Sequence, residues 1–225
     1  LIQAGSHPFK QEVQALNAWY QRELKELRVD IRTETEATPE MLRAMNADVI
    51  ILAAGYVPIV PPVPGIDSPT AVECMDAYAH PEKIGQRVAV IGGGLVGCEM
   101  ALSYAMEGRQ VTVVEALDEL MRAGDDEPPI PNGQMIPDLF EHYGVRVLSG
   151  HRLTAVGNQA ITVSGAQGDE TIPVDNAVIA VGFRPAPSMA QALTGCGAVV
   201  YEITGQQIGT IMRAIWSGYE LGNNI

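Results

Sequence analysis

The stretch Val88–Glu99, VAVIGGGLVGCE, constrains this chain more than any other. It sets Gly92, Gly94 and Gly97 in the spacing G-x-G-x-x-G between two apolar runs, Arg87-Val88-Ala89-Val90-Ile91 and Leu95 to Met106. The first run suits a buried parallel strand and the second a helix that covers it. Gly92 permits a tight strand-to-helix turn. Gly94 has no Cβ, so a ligand can approach the backbone, and Gly97 lets the helix pack close to the strand. A second strand, Gln110-Val111-Thr112-Val113-Val114, then ends on Glu115, 23 residues beyond the first glycine, close to the spacing of roughly 20 expected of a ribose-binding acid. The helix N-terminus adds free N–H groups and the positive end of a dipole. These parts predict a cradle for a dinucleotide, with Gly92, Gly93, Gly94, Leu95, Val96 and Gly97 at the pyrophosphate and Glu115 on the adenosine ribose. The reading left open is an ordinary βαβ crossover with a glycine-rich turn and no ligand.

The acid at Glu115 accepts hydrogen bonds from a free ribose diol and repels a 2′-phosphate, which favours NAD over NADP. Ala116 and Leu117 follow it, and Arg122 is the nearest cation.

The rest of the composition narrows the class. A chain of 225 residues with 47% hydrophobic content holds one large domain or two small ones around a real core. A formal charge of −13 without a Lys/Arg cluster argues against nucleic acid and against an anionic membrane surface. No apolar stretch is long enough to span a bilayer. Cys74, Cys98 and Cys196 are far apart and no CxxC occurs, which argues against a redox dithiol or an iron–sulfur site built within this chain. The unpaired cysteines fit a reducing, cytoplasmic setting. His7, His80, His142 and His151 fall in loops or at element ends and are expected to be solvated. No side-chain nucleophile or general acid is indicated, so no catalytic side chain is assigned.

Along the chain, Phe9–Leu27 has a helical period, and RVDIRT from Arg28 alternates like a strand. Thr38-Pro39 opens a short helix, and Asp48–Ala54 is a buried strand ended by Gly55. The Pro-rich run 57–69 suggests a stiff linker. Later come a helix over Asn132–His142, a strand over Gly144–Leu148 and a β-meander over Arg152–Val174. A buried strand at Asn176–Val181 ends at Gly182, followed by a strand at Ala198–Ile203 and a helix at Thr210–Leu221. Residues 125–131 read as an acidic, Pro-rich loop. The runs DVIILAAG and NAVIAVG are similar strand-to-glycine pieces. Each is read either as passing a bound nucleotide or as a plain buried strand.

These pieces resemble a known group. DVIILAAG at 48–55, GGGxxGxE at Gly92–Glu99 and AVGFRP at 180–185 occur in the order of the two-dinucleotide-binding flavoprotein reductases. The opening HPFKQEVQALNAWYQRELKEL and the closing GTIMRAIWSGYELGNN are similar to the C-terminal region of the large Old Yellow Enzyme-type NADH:flavin oxidoreductases, such as 2,4-dienoyl-CoA reductase and trimethylamine dehydrogenase. The resemblance implies an α/β fold. In it a Rossmann-like NAD(H)-binding domain, 72–182, with a parallel sheet and a β-meander, is inserted into a partial FAD-binding domain, 1–71 and 183–225. It implies hydride transfer from NADH to a flavin, with the FAD fingerprint, an FMN-bearing barrel domain and iron–sulfur cysteines in other parts of the parent enzyme. It places Glu99 near the nicotinamide carboxamide, Val181 and Gly182 under the nicotinamide ribose, and Gly55 and Pro58 near the flavin. Where the group has a Gly-Asp pair after the late strand, this chain has Thr204-Gly205-Gln206-Gln207, which leaves Gln206 as the candidate for a phosphate or ribityl contact. A different class fits the same residues: a non-catalytic docking module that holds ADP or NAD as structure.

Overall fold

The computed structural model describes residues 1–122, 130–203 and 210–225. The Thr204–Gln207 run lies outside them, as does the 125–131 run except for its last two positions, which open a helix. In chain order the elements are α1 (Gln11–Glu26), α2 (Pro39–Ala44), β1 (Val49–Leu52), β2 (Tyr56–Pro58), β3 (Ala71–Glu73), α3 (Cys74–Ala79), β4 (Arg87–Ile91), α4 (Leu95–Met106), β5 (Gln110–Val114), α5 (Ile130–Tyr143), β6 (Arg146–Leu148), β7 (Arg152–Gly157), β8 (Ala160–Gly165), β9 (Gly168–Pro173), β10 (Asn176–Ile179), β11 (Phe183–Pro185), β12 (Val199–Glu202) and α6 (Ile211–Gly222). They fall into two compact units. One comprises Leu1–Arg28 with Pro58–Gly182, the other Val29–Val57 with Phe183–Ile225.

The first unit is built on a five-stranded parallel sheet in the order β3-β10-β4-β5-β6. The order reverses between β4 and β10. That switch point is where open α/β sheets bind ligands. Every residue of β10 and all but the first of β4 are buried, which is why both read as unbroken apolar runs. Strand alternation sends Val90 toward α4 and sends Ala89 and Ile91 to the opposite face. That face is covered by the antiparallel meander β7-β8-β9, through Val156, Ile161, Val163 and Ile172. A helix layer and a strand layer thus flank one sheet.

The expected Pro-rich linker belongs to this core instead. Val63 and Ile66 pack against the meander cluster, and the Val156 N–H donates to the Pro64 carbonyl at 2.8 Å. Gly65 turns the chain there with φ +78°, and a Cβ on it would lie 1.8 Å from the Val156 carbonyl oxygen. Prolines gave the segment its stiffness, while Val63 and Ile66 decided where it lies.

The first ten residues form an arm on the same unit. His7, expected to be solvated, is 3% exposed. Its Nε2 lies 2.8 Å from the Tyr78 hydroxyl, and its ring stacks on Phe9. Burial, with the Lys10 charge beside it, lowers its pKa to about 4. The other three histidines are not buried in this way: His80 faces Asp76 and Glu82, His142 sits in the last turn of α5, and His151 is half-buried with Nδ1 2.7 Å from the Ser149 carbonyl.

The second unit is smaller. β1 and β12 pair in parallel and bury Ile50 and Leu52 with Leu193 on one side, while Ile51 and Val199 stay exposed. DVIILAA is therefore a one-sided strand, unlike its look-alike NAVI. Thr38 and Thr210 cap α2 and α6 by accepting N–H bonds from Met41 and Arg213. RVDIRT does not form a strand. Val29 and Ile31 alternate correctly but are exposed, and no neighbour pairs with them among the described residues. The units also divide the chain differently from the boundaries expected in sequence: residues 1–28 and 58–71 cluster with the parallel sheet.

Two consequences are measurable. Gly65→Ala combines a left-handed backbone with a clash against backbone, and should lower unfolding free energy by about 2–4 kcal/mol in a urea titration. For His7, the unfolded chain takes up a proton near 6.5 and the folded chain only near 4. Its contribution to stability is therefore complete above 6.5 and lost as pH falls toward 4. His7→Gln keeps an acceptor for Tyr78 but cannot titrate, so its denaturation midpoint should fall less over that window than the wild type's.

Candidate functional site

The turn between β4 and α4 is fixed by the chain itself. Gly92 sits at φ +108°, and a Cβ there would meet the Ala180 carbonyl oxygen at 2.3 Å, so β10 passes directly beneath the turn. A Cβ on Gly97 would lie 2.0 Å from the Gly92 oxygen, so only glycine lets α4 start this close to the strand. Gly94 is different. It is the N-cap of α4, and among the described residues no side chain caps that helix and nothing lies within 4 Å of where a Gly94 Cβ would be. Leu95 and Val96, half-buried, form the first turn beside it.

Glu115 extends β5 into the same turn and is 7% exposed. Its Oε2 accepts the Gly93 N–H at 2.6 Å, and its Oε1 accepts the Leu117 N–H at 2.7 Å. Gly93 is also pinned through its carbonyl, which accepts from Met121 N–H at 2.7 Å and from the Cys98 thiol at 3.3 Å. Leu120 lies where a Gly93 Cβ would be. The Gly93 amide is thus spent within the protein, and the amides left toward Gly94 are those of the helix start. Each carboxylate oxygen of Glu115 accepts one backbone bond and keeps a second lone pair for a hydroxyl. Met121, buried at φ +58°, holds the loop that returns to Gly93.

Glu99 stands one turn into α4 at 5% exposure. Its Oε1 lies 2.6 Å from Lys10 Nζ. Burial raises its pKa above the usual carboxylate range, and the lysine pulls it back. This pair had no signal in the sequence, because nothing local connects position 10 to position 99. Val181 is 38% exposed at the end of β10. Gly182 follows at φ +109° with open space around its Cβ position, and its carbonyl accepts from Ile59 N–H at 2.9 Å. In the second unit Gly55 turns at φ +75°, and its carbonyl accepts from Ala186 N–H at 3.0 Å.

The first unit therefore gathers Gly92, Gly93, Gly94, Leu95, Val96, Gly97, Glu99, Glu115, Val181 and Gly182, whereas Gly55 belongs to the second. Cys74, Cys98 and Cys196 are all free; burial raises the Cys74 thiol far above its ordinary range and pushes Cys98 up to about 12. Among the described residues no group of His, Cys, Asp or Glu is arranged to hold a metal ion, and no helix is long and apolar enough to cross a membrane.

An open helix N-terminus after a glycine turn, with a carboxylate at the next strand end, is the geometry of a dinucleotide-binding crossover. The chain is 35% identical over 222 residues to bilirubin reductase of Mediterraneibacter gnavus, a match covering 98% of this chain and 34% of that protein. It is 27% identical over 225 residues to an NADH oxidase of Thermoanaerobacter brockii, covering 97% of this chain and 34% of that protein. A solved 2-naphthoyl-CoA reductase complex superposes with a TM-score of 0.88 at 26% identity, covering 100% of this chain and 34% of that one. The chain thus spans about a third of the length of these relatives. Residues 40–202 match the family model of the pyridine nucleotide-disulphide oxidoreductases, and the chain belongs to that oxidoreductase family, with its Rossmann-like α/β fold.

Proposed function

We propose that the first unit binds NADH and presents it as reductant to a flavin, as the NADH-binding portion of a larger flavin-dependent oxidoreductase. The observation that carries this reading is the vacant space over Gly94 at an uncapped helix N-terminus, with Glu115 fixed beside it. In this assignment the α4 amides from Gly94 to Gly97 hold the pyrophosphate, and Gly92 and Gly93 shape the turn. Glu115 takes the adenosine ribose diol, and its charge disfavours a 2′-phosphate. Val181 and Gly182 pass under the second ribose, and Glu99 stands on the nicotinamide side. Bound NADH would supply a hydride, while the protein orients it and excludes competing reactions.

The flavin is a different matter. In the second unit the Thr38 and Thr210 hydroxyls each accept one backbone N–H, from Met41 and Arg213, at the N-termini of α2 and α6. Gly55 and Pro58 would line the flavin's edge only within the complete parent enzyme, whose barrel domain would carry FMN and an iron–sulfur cluster. A second reading has this chain alone as a docking module with NAD or ADP held as structure. Three unpaired thiols suit a cytoplasmic setting for either.

Titration of the purified chain with NADH and NADPH, before and after adding FAD, tests the assignment. NADH should bind about tenfold more tightly than NADPH, and equal or better NADPH binding overturns the role of Glu115. Flavin absorbance bleached by NADH supports the reductase, and NADH binding by a colourless protein without turnover supports the module. Gly94→Val offers a cleaner separation of site from fold. Its backbone, φ −69° and ψ 176°, accepts valine, and the new side chain enters empty space. The variant should melt like the wild type yet lose NADH affinity by about a hundredfold or more. Wild-type affinity would show that the diphosphate binds elsewhere.

A further inference from the structure

The loop that follows Glu115 is held at both ends to the turn it borders. Leu117 N–H donates to Glu115 Oε1 at 2.7 Å, and the Leu117 carbonyl accepts from Gly150 N–H at 2.8 Å. At the far end Met121 N–H donates to the Gly93 carbonyl at 2.7 Å, and the Leu120 side chain lies where a Gly93 Cβ would be. The loop therefore wraps the Glu115 carboxylate, and Arg122, the residue after Met121, is stationed at the lip of the cradle. Within the loop Glu119 Oε2 accepts from Arg122 Nε at 2.6 Å.

The charges along this stretch are lopsided. From Gln110 to Val145 the sequence carries eight acids but a single Lys or Arg, which is Arg122. A 2′-phosphate on a ribose at Glu115 would need a cationic partner to offset repulsion by that acid, and a guanidinium suits phosphate best. Arg122 is the one guanidinium this stretch offers, and Glu119 engages it. The fold asks little of the pair. Its side chains are 60% and 63% exposed, a setting in which an ion pair contributes little to stability. We propose that Glu119 is a specificity-determining residue: by holding Arg122 in an ion pair it withholds the loop's cation from a 2′-phosphate, so that Glu115 and Glu119 together set the preference for the unphosphorylated dinucleotide. One acid repels the wrong ligand, and the other cancels the attraction that would have offset the repulsion. This rests on the NADH reading above.

The experiment measures Kd for NADH and NADPH on the full chain at low salt, in wild type, Glu119→Gln, Arg122→Gln and the double variant. All four should melt alike, because both side chains are exposed. Glu119→Gln should tighten NADPH about threefold to fivefold and leave NADH unchanged. The gain should shrink in about 0.5 M salt, which screens exposed charges. In the Arg122→Gln background the same substitution should leave NADPH affinity unchanged, which separates an acid acting through Arg122 from one that repels the phosphate directly. The proposal fails if Glu119→Gln leaves the ratio of NADPH to NADH affinity where it was, if NADH tightens in parallel, or if the gain survives the loss of Arg122. A wild type that binds neither dinucleotide overturns the NADH reading itself, and this proposal with it.

Discussion

One carboxylate organises the turn between β4 and α4 in the first unit. Glu115 ties Gly93 at the start of α4 to Leu117 at the start of the next loop, through two charge-assisted bonds of 2.6 and 2.7 Å in a nearly dry position. The bonds close a small ring of backbone around the carboxyl group. Met121, also bonded to Gly93, closes it from the other side. Because Gly93 is held at both its N–H and its carbonyl, the next peptide cannot swing. The open face at Gly94 is then a fixed feature of the strand-to-helix turn rather than one conformation of a loose loop. This is preorganisation in the literal sense: the ordering cost is met when the chain folds, not when a ligand arrives.

Glycine does three separate jobs within six residues. Gly92 supplies a backbone angle and clearance from β10, Gly97 supplies clearance from its own turn, and Gly94 caps α4 with open space where its Cβ would be. A spacing alone cannot tell these roles apart, and the space around each Cβ can.

Much of this was legible in the sequence because it is local. The apolar runs of β4, β5 and β10, the alternation and glycine turns of the meander, and the Thr38-Pro39 helix start each carry their signal within a few residues, and all form as expected. The failures share one cause. RVDIRT has a strand's alternation, but a strand needs a partner that no local pattern announces. His7 and the 57–69 run looked exposed because their burial comes from Phe9, Tyr78 and the meander, which are brought to them by topology. β3 and α3 went unread for the same reason: three residues of edge strand and six of helix are too short for a period to declare itself. Likewise the local pattern marks Glu115 as an acid at a strand end but not as the clamp on Gly93, and marks Glu99 without its lysine.

The parallel pair β1–β12 has a consequence of another kind. Among the described residues β1 and β12 pair with no third strand, which leaves backbone donors and acceptors without a strand partner on their outer margins, and Ile51, Val199 and Tyr201 add exposed side chains to the same small sheet. Bare margins of that sort recruit further strands from whatever chain is near. Handled alone at high concentration, the second unit would be the sticky end of this molecule, and its colloidal behaviour would be governed by those margins rather than by the strongly negative net charge.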